Sequence, residues 1–190
     1  MKNLQRLSLF AACLAVLFVA PAFSADKPKA PSQVIAIVDV QRILQESLAA
    51  KSVQKQLDTQ RAKFQTETEA EENELRQAEQ DLVKSREQLA ANVYADHEQQ
   101  LRQRFLLVEQ NVDARRKVLD QSFTDSMNAV RSHLLQVVQA VAQERGVNLV
   151  LIKQQTLWTD PSFDVTDEVL NRLNKSLPDV AVVMKSAKKP

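Results

Sequence analysis

Apolar positions follow two different rhythms along this chain. Two short stretches are apolar at nearly consecutive positions, and between them lies a long span in which apolar residues recur every three or four. The first stretch, Val34 to Val40 (VIAIVDV), holds five β-branched residues in seven and reads as a buried strand. The second, Val147 to Ile152 (VNLVLI), reads the same way. Apolar on both faces, such strands belong inside a sheet or an oligomer core. A third short strand is expected at Gln155 to Thr159, followed by a turn at Asp160-Pro161. Thr166 then caps a short helix, with Asp167 and Glu168 in its first turn and Arg172 in its second, an order that suits the helix dipole.

The span between the strands, residues 41–145, predicts helix. No Gly or Pro occurs from Ser32 to Arg145, and Gln, Glu, Lys, Arg, Leu and Ala dominate. Leu57 and Phe64 lie seven apart, as do Leu75, Leu82 and Leu89. Leu101, Phe105, Val108, Val112 and Leu119 continue the rule. Phe123, Met127, Val130, Leu134, Val137 and Val141 follow after a shift in phase, which is the pattern of a coiled-coil seam. Arg61, Glu71, Ser85 and Arg115 interrupt it, which is either the ordinary imperfection of such seams or the mark of one loose enough to splay. Asp39 stands where the span begins and reads as its N-cap. Gly146 stands where it ends, where a left-handed residue is needed.

The two strands decide how this span is arranged. An isolated apolar strand leaves its N–H and C=O groups unpaired, which is costly, so the two should share a sheet. They meet only if the helix doubles back near its middle. Ala90 to Ala95 lacks charge and contains Asn92 and Val93, which are poorer helix formers. Residues 90–95, with Asn92, Val93 and Tyr94, are the expected tip. Tyr94 either closes this turn or touches a partner, and the first is favoured. Arms of 45 to 50 residues would each be about 70 Å long. One such arm on two or three strands is too little core for a monomer. A homo-oligomer joined through the strands is therefore expected, with Ile35, Ile37, Val38, Val147, Leu149 and Leu151 at the joint. Trp158 is expected to pack against the same body.

Composition sharpens this picture. One Gly among 190 residues is far below the usual share of about 7% and points to a few long elements. Residues 1–25 read as a signal peptide: Lys2 and Arg6 precede an apolar run from Leu7 to Ala20, and small residues follow, placing cleavage between Ala22 and Asp26. The run is shorter than a spanning helix requires, which disfavours a retained anchor. Cys13 lies within that run, so it reads as leader rather than as a lipidation site, and the remainder holds no cysteine. Without Lys2 and Arg6, the remaining 23 Lys and Arg face 24 Asp and Glu, a balance with no basic field for nucleic acid. Residues 26–33 form a polar lead-in and 176–190 a flexible tail. His97 and His133 stand alone, no phosphate-binding loop is possible with one Gly, and no serine sits in an elbow motif. No enzyme, cofactor or metal is expected.

Taken together, IAIVDVQRILQES (Ile35 to Ser47), VNLVLI and DVTDEVLNRLN (Asp164 to Asn174) resemble the Skp/OmpH family of periplasmic chaperones, over essentially the whole chain after the leader. The resemblance implies a mainly α fold with a small β body (34–40 plus 146–175), assembled as a trimer with helical tentacles around a cavity. It also implies ATP-independent binding of unfolded outer-membrane β-barrel proteins in the periplasm. One departure is plain: the arms from Lys51 to Asp125 carry 12 Lys and Arg against 15 Asp and Glu, whereas positive tentacles typify the family's best-known member. The rival reading is a structural coiled-coil spacer or tether of the envelope, which should show a more regular seam and an attachment device. A third is an accessory subunit for barrel insertion or for an envelope enzyme.

Overall fold

The computed structural model describes residues 32–185. The expected signal peptide and most of the lead-in lie outside the described residues. So do residues 186–190. Strand β1 spans Ile35–Val38, helix α1 Val40–Glu46, helix α2 Leu48–Lys84, helix α3 Ala91–Glu144, strand β2 Leu149–Ile152 and helix α4 Thr166–Ser176. The fold is thus mainly α with a small β body, as the sequence predicts. Helices α2 and α3 form a long antiparallel hairpin, about 55 Å and 80 Å in helix length. Strands β1 and β2 pair in parallel, Ile35 opposite Leu149 and Val38 opposite Ile152. The strands are shorter than the apolar stretches, four residues each.

Two junctions behave as their residues dictate. The Asp39 carboxylate accepts from the Arg42 N–H at 2.9 Å, capping α1. Gly146 closes α3 with φ +65, and Val147 N–H returns to the Ala142 carbonyl at 2.8 Å. A side chain other than glycine would be strained there.

Elsewhere the structure departs from the sequence reading. The helical span is broken at Ser47, which ends α1 and begins α2 with its hydroxyl accepting from Ala50 N–H. The Leu48 N–H donates to Asn174 of α4 at 2.8 Å. The hairpin turn occupies residues 85–90, not 90–95. Asn92, Val93 and Tyr94 lie in the first turns of α3. The turn sits N-terminal to the midpoint because α3 runs on into the body, where Leu134, Val137 and Val141 pack with Ala36, Val38, Ile43, Val169 and Leu173. No strand forms over Gln155 to Thr159; a 3-10 turn covers Lys153–Gln155. Thr166 does not cap α4. Its backbone N–H donates to Asp164, and its hydroxyl accepts from Asp39 N–H at 2.9 Å, which leaves it buried. The tail is not loose over its described part. Leu177, Val180, Val182 and Met184 pack on a second core of Ala49, Ala50, Val53, Leu57, Met127 and Val130.

Candidate functional site

No group of three or more His, Cys, Asp or Glu is placed to hold a metal among the described residues. His133 is hydrogen-bonded to Ser176 at 2.9 Å. The candidate sites are surfaces, one on the arms and one on the body.

The arms close well only in places. Near the root, Val53, Leu57, Met127 and Val130 are buried, and farther out Leu75 and Leu101 are. Between and beside these points the seam gapes. An open groove of about 780 Å³ lies between the helices, lined by Leu75, Arg76, Phe105, Val108 and Val112 among others. Phe105, Leu106 and Leu107 are 42%, 56% and 56% exposed, so one short run of α3 presents three large apolar side chains. Phe123, expected in the seam, is exposed, and Ser122 and Ser126 take the buried positions beside it.

Two of the polar interruptions in the seam satisfy one another. Arg115 donates to Glu71 at 2.8 Å and to the Thr68 hydroxyl at 2.8 Å, lies 3.5 Å from Glu67, and stacks over the Phe64 ring at 5.7 Å. Its side chain is only 20% exposed. Ser85 is the C-cap of α2, and Arg61 pairs with Asp58 on its own helix. Near the turn, Arg86 lies over the Tyr94 ring at 5.8 Å.

The residues expected at the oligomer joint divide. Ile37 and Val38 are each 1% exposed and already belong to the protomer's own interior; β1 is flanked on its other side by Asp164 and Val165, whose N–H donates to Ile37 at 3.0 Å. Ile35 and Val147 are half-buried. Leu149 and Leu151 are exposed, together with Ile152 and Phe163. Strand β2 has no second strand beside it among the described residues. Trp158, expected to pack inward, is 81% exposed, and Leu157 is fully so. The sequence signal was there: a Leu-Trp pair in a polar segment ahead of Asp-Pro has no periodic partner that would bury it.

Hydrogen bonds brace the body beneath this surface. Asp164 accepts from Thr166 and Lys153; burial works to raise its carboxyl, but these bonds outweigh it and hold the group below the usual range. Arg172 joins α4 to the end of α3 through both oxygens of Glu144, at 2.8 and 2.6 Å, which holds the Glu144 carboxyl low and raises the guanidinium.

The comparisons agree with this architecture. The family described as outer membrane protein (OmpH-like) matches residues 34–173. The chaperone protein Skp of Yersinia enterocolitica is 29% identical over 166 residues, covering 85% of this chain and 96% of its own length. A crystal structure described as an OmpH-like outer membrane chaperone, from Caulobacter crescentus, superposes with a TM-score of 0.75 at 19% identity. It covers 78% of this chain and 88% of that one.

Proposed function

The chain belongs to the OmpH-like family of outer membrane proteins, a chaperone family, and we propose that it acts as an ATP-independent periplasmic holdase for unfolded outer-membrane β-barrel proteins. One observation carries this reading. The hairpin is long, yet its seam leaves Phe105 partly exposed over an open groove, where a permanent coiled coil would bury it, and Leu106 and Leu107 stand exposed on the same run of α3. An unfolded barrel protein offers alternating apolar segments of about ten residues, each weakly apolar and prone to aggregate. Many shallow apolar contacts along several arms hold such a chain by avidity and still release it. No nucleotide chemistry is required, since equilibrium binding does the work.

The same reading places the mature chain in the periplasm after cleavage between Ala22 and Asp26. It also assembles the body as a trimer through β2 and the exposed residues beside it. Among the described residues, no helix is long and apolar enough to cross a membrane. The near-balanced charge of the arms supports capture by apolar contact more than by a basic cavity.

The test is dilution of a urea-unfolded outer-membrane porin into buffer with the purified processed chain and no nucleotide. Light scattering should fall to near background at a several-fold excess of assembled chaperone. Scattering equal to the porin alone would sink the reading. A pull-down from envelope extracts separates the rival: a fixed set of folded partners would favour a tether.

A further inference from the structure

Residues 177–185 run from α4 back along the root of the hairpin without forming helix or strand. They lie beyond the residues 34–173 that match the family. Their burial has a period of two: Val180, Val182 and Met184 are half-buried, while Ala181, Val183 and Lys185 are exposed. The half-buried side chains sit over Ala49, Ala50 and Val53 of α2 and Met127 and Val130 of α3. Two alanines in this floor leave room that larger residues would fill.

The main chain of this segment is held by side chains from both arms. Gln56 donates through Nε2 to the Val180 carbonyl at 2.9 Å and accepts at Oε1 from the Val182 N–H at 3.0 Å. The Ser122 hydroxyl donates to the Val183 carbonyl at 3.0 Å. Ser52 is hydrogen-bonded to Asp179, and Lys185 pairs with Asp125 at 2.9 Å. One glutamine amide thus meets a carbonyl and an N–H two residues apart, as the backbone of a neighbouring strand would. Main-chain bonds and an apolar floor recognise conformation and pattern rather than a particular sequence.

We propose that this groove is a binding site for extended, period-two apolar peptide segments, and that residues 179–185 are its resident occupant. The competing ligand is a strand of an unfolded β-barrel protein, whose outward positions alternate in the same way; naming it rests on the holdase reading above. The resident segment is tethered at Leu177, so its effective concentration is of order millimolar. A single weak segment in solution loses to it. A chain offering many such segments at once displaces it, which makes the site selective for long unfolded clients.

The test uses the full processed chain in three forms and a fluorescent peptide of residues 179–185, with a scrambled peptide of equal composition as control. The second form carries Val180→Asp and Val182→Asp, which expel the strap. The third carries Asp125→Cys and Lys185→Cys, joined by a short reducible bis-methanethiosulfonate linker that pins the strap at the end far from Leu177. The expelled form should bind the peptide at least tenfold more tightly than the parent, the pinned form should not bind it, and reduction should return the pinned form to parental behaviour. Equal binding by all three, a scrambled peptide that binds as well, or binding to neither the parent nor the expelled form overturns the proposal. If the expelled form loses its helical circular dichroism, the parent at millimolar peptide against the pinned form decides it the same way. Porin scattering, run alongside, keeps the two readings apart. Porin protection without peptide competition sinks the site alone. Peptide competition without porin protection supports the site and sinks the holdase.

Discussion

At the scale of single residues, Arg115 shows how a seam defect becomes a fastener. Its guanidinium is mostly covered, joined to Glu71 and Thr68, and set over Phe64. Replacing Arg115 with Ala leaves Glu71 half-covered without its partner, a loss of about 2 kcal/mol. Replacing Glu71 and Arg115 together with Leu removes both charges; such swaps are often neutral or stabilising by about 1–4 kcal/mol. Urea unfolding should therefore show the single variant less stable than the parent and the double variant at least as stable. A double variant that loses as much as the single would mean the pair's charge itself holds the arms. In one sequence this pairing is invisible. Glu71 and Arg115 are 44 residues apart, and each residue of error in placing the turn moves the facing residue by two. Leu173 is a plainer case, fully buried in the body. Its truncation to Ala should cost about 2–5 kcal/mol, read as a shift in the same midpoint.

At the scale of elements, what was legible followed from local chemistry. VIAIVDV and VNLVLI contain the two strands, Asp39 caps α1, and Gly146 ends α3, because each is decided by neighbours a few residues away. Gly146 has open space around the position of a β-carbon, so Gly146→Ala tests backbone strain alone. It should cost about 1 kcal/mol, seen as a small drop in thermal midpoint with unchanged helicity. What was illegible depended on distant partners. Ser47 breaks the helix where α4 brings Asn174 to the Leu48 N–H. Thr166 gives its hydroxyl to Asp39 rather than to its own helix. The last residues read as a flexible tail until the hairpin root supplies Gln56 and Ser122. Three carboxylates join these elements and share one acid response. Asp125 is held below its ordinary range by hydrogen bonds from Lys185 and then Gln121, Glu144 by Arg172, and Asp164 by Thr166 and Lys153 against its burial. Folded values that are depressed give stability that is present above the ordinary carboxylate range of about 4 and lost as pH falls below it. The denaturation midpoint should hold from pH 7 to about 5 and drop toward pH 3. A variant with Asp125→Asn, Glu144→Gln and Asp164→Asn should start lower and fall less over that interval.

At the scale of the whole molecule, the body is a surface in want of a neighbour. β1 is flanked on both edges, by β2 and by Asp164–Val165, whereas among the described residues β2 has β1 alone. An apolar strand with an open edge is an invitation to pairing that stable proteins cover or charge. Here the cover is not charge: Leu149, Leu151 and Ile152 of the strand itself stand exposed, and Leu157, Trp158 and Phe163 are exposed elsewhere on the body. The proposed trimer accounts for all of them at once, and Leu151 separates assembly from folding. Leu151 is 38% exposed and belongs to neither buried cluster, so Leu151→Asp should leave the helical signal intact. Buried between subunits, the same carboxylate would lack a partner, at a cost of about 3 kcal/mol per contact, or roughly a hundredfold in dissociation constant. Sedimentation equilibrium at micromolar concentration should then show trimer for the parent and mainly monomer for the variant. Ile37→Asp, by contrast, buries its charge inside the protomer and should abolish folding outright. A parent chain that sediments as a monomer would mean that the β2 surface has some other cover, and that the arms act singly rather than around a shared cavity.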